Sequence, residues 1–516
     1  MANKPTILFL VEGLGMSAAK AGNAFFSSSQ HNFLDLWRSY GHTLIKPNLA
    51  IGNGLDLCQD SSSDFGALSS GTAIPHDQQF VTNSILDNSI FENFILDQTY
   101  EKVIQKNSAL HFIGNLGDRS GKYGNISHLK ALLRWAKNRR MFRIYIHLIL
   151  DNADFTETRD VLASLDSLSK DIDKIGCGEI ASITGSNSIH KTNLDSVISA
   201  IVSGKGKNAL SADQAIVLHG KKVSSISDFP PSVVTFRGKP IGKFNSFDSV
   251  ILFNHNSANL ERLTHALCNH RSKLIPRFVD TVALFDNFLR RPEALRVAFL
   301  RRFSNTIPEL LADNGKKTLL LCKEGHAGHT RYFSGNAESE FIKIKAVRES
   351  TNKKTLSVDF LSDLFSEISK NIGKFDLLVI DYPLMWEASK NGELAQIVKE
   401  IEIFDKALHQ LSKFMLQLGG NLVVTSPFGY SEQLNGSDPY SKTNFKSKNP
   451  LPFLLISHLS AKHSIARGVG DEMVYDMLKV RHKFTDTAPT LLRLFGIPQP
   501  TSMNGLSFLD ELINCH

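Results

Sequence analysis

Short apolar runs alternate along the chain with longer segments whose apolar positions recur every three or four residues. That alternation predicts α/β layering around a largely parallel sheet. Thr6 to Val11 is an apolar run bounded by Pro5 and Glu12-Gly13, and it predicts a strand. Ser127 to Lys137 opens on a capping serine and sets Leu129, Leu132, Leu133 and Ala136 at helical spacing. Phe142 to Leu150 reads as a buried strand ending at Asp151-Asn-Ala-Asp154. Lys317 to Cys322 is a strand running into Gly325-His-Ala-Gly-His329, and Leu377 to Ile380 is one running into Asp381-Tyr-Pro383. Asn421 to Thr425 runs into Ser426-Pro-Phe-Gly429. In open α/β sheets the ligand crevice lies at the carboxyl ends of the strands, so chemistry is expected at these junctions. Residues Asn187 to Asp248, with Pro230-Pro231 and several Gly-Lys pairs, read as a loop-rich peripheral insertion or subdomain rim.

A chain of 516 residues exceeds one simple core and predicts two domains. The longest apolar runs, such as Ile144 to Leu150, are far too short to span a membrane. The opening Met-Ala-Asn-Lys-Pro lacks the cleavage region of a secretory signal. Five scattered cysteines (Cys58, Cys177, Cys268, Cys322, Cys515) fit reduced thiols, which predicts a cytoplasmic or other reducing compartment. The net charge of +7 is spread along the chain. Its local clusters, Lys137-Asn-Arg-Arg140 among them, read as solvated faces, because no aromatic interleaving or nucleic-acid motif accompanies them. Neither nucleic acid nor membrane is expected as a partner.

The segment Gln59-Asp-Ser-Ser-Ser-Asp-Phe-Gly-Ala-Leu-Ser-Ser-Gly71 carries a serine followed by an acid, an apolar residue and Gly. After a strand, such a loop can lift a hydroxyl into a cleft, where it needs something to ionise it. This loop, the run Phe484-Thr-Asp-Thr-Ala-Pro-Thr-Leu-Leu-Arg-Leu-Phe-Gly-Ile-Pro, and Met503-Asn-Gly-Leu-Ser507 resemble segments of the cofactor-independent phosphoglycerate mutases. So do His128-Leu-Lys-Ala-Leu-Leu133, His147-Leu-Ile-Leu-Asp151, Leu252-Phe-Asn254 and Asn449-Pro-Leu-Pro-Phe453, in that family's order. The family lies in the alkaline phosphatase superfamily. The resemblance implies an α/β fold: an alkaline-phosphatase-like discontinuous domain from residues 1–80 plus 304–516, and an inserted α/β transferase-like, substrate-binding domain at 81–303. It also implies two metals, usually manganese, which ionise a serine that carries the phosphoryl group between neighbouring hydroxyls.

Carried over by resemblance, the nucleophile is Ser63, the first-strand metal ligand is Glu12, and the histidine after the serine is Ala67. The remaining metal positions fall at or near Trp386, Lys390, Pro427, Phe428 and Lys446. Pro, Phe and Trp offer no side-chain donor to a cation, and an ammonium repels one. The substrate-gripping positions fall on Tyr123, Ala153-Asp154, Gly185-Ser186, Asn256, Asn259 and the neighbourhood of His326. A triply charged phosphoglycerate needs several cationic donors, and at least four are missing from these positions. The lysines at 390 and 446 are expected to neutralise Glu12 and Asp64 in the old metal cavity. A relocated metal site at His326 and His329 is an alternative for that loop, which lacks an obvious third ligand.

The sequence therefore predicts a catalytically inactive mutase-like protein that needs no cofactor and serves as a binding, regulatory or structural component for an unidentified protein partner. Two alternatives stay open. One is a metal-dependent phosphoglycerate mutase or phosphotransferase with a rearranged site using Ser63. The other is a metal-free sensor of a small phosphorylated ligand in the inter-domain cleft.

Overall fold

The structure, a computed structural model, describes residues 4–48, 61–73, 77–117, 123–152, 154–155, 157–190, 194–220, 223–256, 258–269, 274–285, 291–299, 303–323, 333–335, 340–344, 356–389, 394–432, 446–461 and 480–514. The chain divides into two compact units. The first comprises residues 1–53, 61–75 and 302–516; the second comprises 54–60 and 76–301.

The first unit is built on a sheet whose strands run in the order Glu340–Ile344, Thr318–Lys323, Leu377–Tyr382, Thr6–Val11, Asn421–Thr425, Leu451–Ile456 and Gly41–Ile45. The first five are mutually parallel, and the last two join antiparallel. Thr6–Val11 is apolar at nearly every position because both of its faces are covered. Ile7, Phe9 and Val11 pack toward helix Leu394–Gln417 through residues such as Ile401, Phe404 and Leu408. Leu8 and Leu10 share the opposite core with Phe65, Leu68, Leu311 and Leu491, from helices Ser61–Ser70, Ile307–Asp313 and Thr487–Leu494. The two-residue period of the strand thus separates the two layers.

Helix His31–Ser39 has no side-chain cap of its own at Gln30. Asp405, on helix Leu394–Gln417, supplies the cap: its carboxylate accepts from Asn32 N at 3.2 Å, Asn32 Nδ2 at 2.7 Å and Phe33 N at 2.7 Å. Asp405→Ala leaves the buried Phe33 N–H and the half-buried Asn32 donors without this acceptor and is expected to destabilise the unit by roughly 1–2 kcal/mol. Urea denaturation measures this, and a change under about 0.5 kcal/mol would contradict it.

The second unit holds a nine-stranded sheet. Its main order is Arg296–Phe299, Asp280–Phe285, Ser249–Leu252, Leu110–Asn115, Ile144–Leu150, Glu179–Gly185, Ser232–Phe236 and Lys207–Ala209. Lys239–Pro240 pairs with Ser232–Phe236. Helix Ile126–Asn138 starts slightly earlier than its serine suggested, and Asn125, not Ser127, caps it by accepting from Ser127 N at 2.8 Å. The region expected to be loop-rich is structured. Helices Leu194–Ser203 and Ala212–His219 and strands Lys207–Ala209 and Ser232–Phe236 occupy it, with Val197, Ile198, Ile201 and Val202 buried in the core. Frequent Ser, Gly and Lys masked an apolar helical period.

Four neighbouring elements of this sheet share a buried polar chain. His111 Nε2 stands 3.3 Å from Asp248 Oδ2, His111 Nδ1 stands 3.0 Å from His147 Nε2, and His147 Nδ1 stands 2.8 Å from Ser182 Oγ. One proton arrangement satisfies it: Ser182 O–H donates to His147, His147 N–H to His111, and His111 N–H to Asp248. All four residues are essentially shut from water.

Among the described residues, no helix is long and apolar enough to cross a membrane. Cys177, Cys268 and Cys322 are buried free thiols.

Candidate functional site

Three parallel strands of the first unit end at one edge of its sheet. Val11 is level with Tyr382, and Leu10 with both Asp381 and Thr425. Glu12, the Leu384–Ser389 helix bearing Trp386, and the Ser426–Phe428 segment therefore leave the sheet side by side. Two bridges extend this edge, pairing Gly13 with Gly429 and Gly429 with Ser447, which brings Lys446 beside Phe428.

The Lys446 ammonium lies 4.5 Å from the centre of the Phe428 ring and forms an ion pair with Asp64 Oδ2. Asp64 is 3% exposed and Lys446 13%, so the pair is largely shielded from water. Asn48 Nδ2 donates to the other Asp64 oxygen at 3.1 Å. Phe428 meets Trp386 edge-on at 5.3 Å, and Trp386 meets Tyr430 edge-on at 5.0 Å. The positions that the resemblance assigns to metal ligands thus hold an aromatic cluster with a lysine against it. Pro427 and Phe428 bring no side-chain donor.

Glu12 is buried, and its N–H donates to Tyr382 O at 3.0 Å. Ser63 lies in the first turn of helix Ser61–Ser70, one residue before Asp64. That helix approaches its neighbours closely: a Cβ on Gly66 would come within 2.7 Å of the Phe303 ring. Ala67, aligned with the family's histidine, is wholly buried in the core. Lys390, His326 and His329 lie outside the described residues.

Sequence reasoning missed Asn48, Tyr430 and Glu432. Glu432 is a buried carboxyl that accepts from Ser447 Oγ and from Asn449 Nδ2 at 3.3 Å, and burial pushes its pKa above the usual carboxylate range. Its neighbours Ser447 and Asn449 flank the recognised Asn-Pro segment, which was the available signal. Among the described residues, no group of three or more His, Cys, Asp or Glu stands together to hold a metal ion. The described residues at the aligned positions do not fit the family's pair of metals.

The aligned substrate positions of the second unit are also neutral or acidic. Tyr123 O accepts from Asn256 N at 3.0 Å. Asn259 Nδ2 donates to Asn115 Oδ1 at 3.0 Å, and Asn254 Nδ2 donates to the same oxygen at 2.9 Å. Asn115 N donates to Asn254 Oδ1 at 2.8 Å, which ties the three amides together, while Asn115 Nδ2 is buried without a hydrogen-bond partner among the described residues. Asp154 is buried against Gly117, where a Cβ would come within 2.2 Å of its carboxyl carbon. Ser186 is buried, and its N–H donates to Leu150 O. Nearby, His128 Nε2 is 3.0 Å from Thr82 Oγ1, and its ring stands 6.0 Å from that of His255. Burial and the neighbouring His255 lower the His128 pKa to about 3.

Residues 81–300 match the family described as BPG-independent PGAM N-terminus. The 2,3-bisphosphoglycerate-independent phosphoglycerate mutase of Clostridium botulinum is 27% identical over 532 residues, covering 99% of this chain and 100% of the relative. That of Clostridium novyi is 28% identical, covering 98% and 99%. In fold, the chain is similar to Leishmania mexicana phosphoglycerate mutase, with a TM-score of 0.75, 17% identity, and coverage of 98% and 97%. The fold expected from the sequence is the one found. The expectation that no cofactor is needed is overturned: the full-length relatives are named as phosphoglycerate mutases, and the Leishmania mexicana phosphoglycerate mutase is described at low cobalt concentration. By its match over 81–300 and its likeness over nearly the whole chain, this protein is similar to the 2,3-bisphosphoglycerate-independent phosphoglycerate mutases and shares their fold.

Proposed function

We propose that this protein uses the mutase fold for binding or regulation, with its family-type centre rebuilt so that it no longer interconverts phosphoglycerates. One observation carries this reading: Lys446, stacked on Phe428, is paired with Asp64 beside Ser63. A serine nucleophile needs a base or a metal to ionise it. At this position its neighbour Asp64 is neutralised by a tethered ammonium instead. The asparagine network at Asn115, Asn254 and Asn259 supports the same reading, because neutral amides offer little charge compensation to a triply charged acid.

A second reading has its own support. The full-length relatives at 26–28% identity are named as phosphoglycerate mutases, and Ser63 stands at the head of a helix as a nucleophile would. In that reading the protein is a metal-dependent mutase, and its divalent ion is held by residues other than those described at the aligned positions.

Interconversion of 3- and 2-phosphoglycerate, assayed with Mn²⁺ and with Co²⁺, separates the two. The first reading expects turnover no higher than that of Ser63→Ala, at buffer background. Turnover above background that disappears in Ser63→Ala and on chelation would establish the second.

A further inference from the structure

The second unit carries a pocket of about 400 Å³ that the mutase chemistry does not use. It lies before the starts of strands Leu110–Asn115 and Ile144–Leu150, at the opposite end from Asn115 and Asp154. Ile104, Ser108, Arg139, Arg140, Phe142 and Arg143 line it.

Its charges are unevenly committed. Arg139 pairs with Asp97 and with Glu101, the latter at 2.9 Å, and lies over the Trp135 ring. Arg143 donates to the neutral Asn107 Oδ1 at 2.6 Å. Arg140 is exposed and makes no side-chain hydrogen bond or ion pair among the described residues. Its backbone holds φ +58°, a left-handed conformation that favours Gly or Asn over a long side chain. Ser108 Oγ is shut from water without a hydrogen-bond partner. Helices Phe94–Lys106 and Ile126–Asn138 both end here, and their negative ends oppose an anion. The N–H groups of Asn107 and Arg139 cap their last carbonyls, and Lys106 and Lys137 sit in their last turns. The helix ends are thereby offset, leaving Arg140 and Arg143 as uncompensated cations. Beside them, Phe142 is 65% exposed and Ile104 43%, giving an apolar wall next to the two guanidinium groups.

We infer that this pocket binds a small organic phosphate. Arg140 and Arg143 hold the phosphate oxygens, and Phe142 and Ile104 cover the apolar body. Planar guanidinium forks match phosphate geometry, whereas a lysine-lined surface acts only as point charge. The inference does not depend on whether the family's centre is active.

Isothermal titration of the full-length protein with phenyl phosphate and with inorganic phosphate tests it. Phenyl phosphate is expected to bind, at least threefold more tightly than inorganic phosphate, and more weakly as salt rises. Arg140→Ala/Arg143→Ala is expected to weaken phenyl phosphate at least tenfold, with an unchanged circular dichroism spectrum. Phe142→Ala is expected to remove the preference for the aryl compound while leaving inorganic phosphate unaffected. Both arginines are surface residues, so loss of fold does not confound the readout. No binding at millimolar concentration, or binding unchanged in the double arginine variant, would overturn the inference. The latter outcome would place the ligand elsewhere, such as the Ser63 region, and Ser63→Ala would then report on it.

Discussion

Lys446→Met is expected to destabilise the first unit by roughly 3–5 kcal/mol, because it strands a carboxylate that is 3% exposed. Breaking a shielded ion pair from one side costs far more than removing both partners, since the surviving charge keeps its desolvation penalty. Asn48 continues to donate to Asp64, but a single amide does not replace an ammonium. The lost contact of the ammonium with the Phe428 ring adds about 1 kcal/mol. Asp64→Asn/Lys446→Met is expected to recover most of the loss, so that the double variant is more stable than Lys446→Met alone. Chemical denaturation of the wild type, both single variants and the double variant closes this cycle. A loss below about 1 kcal/mol in Lys446→Met would show that the pair behaves as a screened surface contact.

Acidification from pH 7 to pH 5 is expected to weaken the second unit by roughly 2 kcal/mol through His128, with further loss through His111 and His147, whose folded pKa values are also depressed. Burial lowers His111 despite the opposing Asp248, burial with His111 lowers His147 well below normal, and burial with His255 brings His128 to about 3. In the unfolded chain each titrates near 6.5. Below that pH the unfolded state takes up protons that the native state refuses, and stability falls by about 1.4 kcal/mol per pH unit for each group. The stabilisation is complete above pH 6.5 and is lost as the pH drops toward the folded values. The surroundings offer little relief. Tyr145, Phe244 and Ser182 face the His111–His147 pair, and Asp248 is the anion in contact with it. Thr82 and His255 face His128. Guanidinium midpoints measured at pH 7 and pH 5 report the effect. Equal midpoints would refute it, and His147→Asn is expected to flatten the dependence.

Legibility followed the apolar period closely. Thr6–Val11 was readable to the residue because a doubly covered parallel strand tolerates few polar positions. The helix at Ile126–Asn138 was readable through Leu129, Leu132 and Leu133, but its cap was not, since Asn125 and Ser127 are equally able to accept a hydrogen bond. The stretch from Leu194 to Phe236 failed because Gly, Ser and Lys dominate its turns, while its core contacts come from a few β-branched residues. At the candidate site, the absence of donors at Pro427 and Phe428 was visible from chemistry alone. The pairing of Lys446 with Asp64 was expected only as one of two lysines facing two acids; the bridges from Gly13 to Gly429 and from Gly429 to Ser447 select the partner, and no local pattern encodes them. The buried chain from Asp248 to Ser182 was equally silent, since its four members come from separate elements.

The position of Thr6–Val11 between Leu377–Tyr382 and Asn421–Thr425 sets the order of events on the ribosome. This strand cannot be flanked on both sides until residue 425 has been made, by which time residues 76–301 are already complete. At about 5–20 residues per second, that apolar ribbon stays bare for on the order of half a minute, a window in which nascent-chain chaperones would find it.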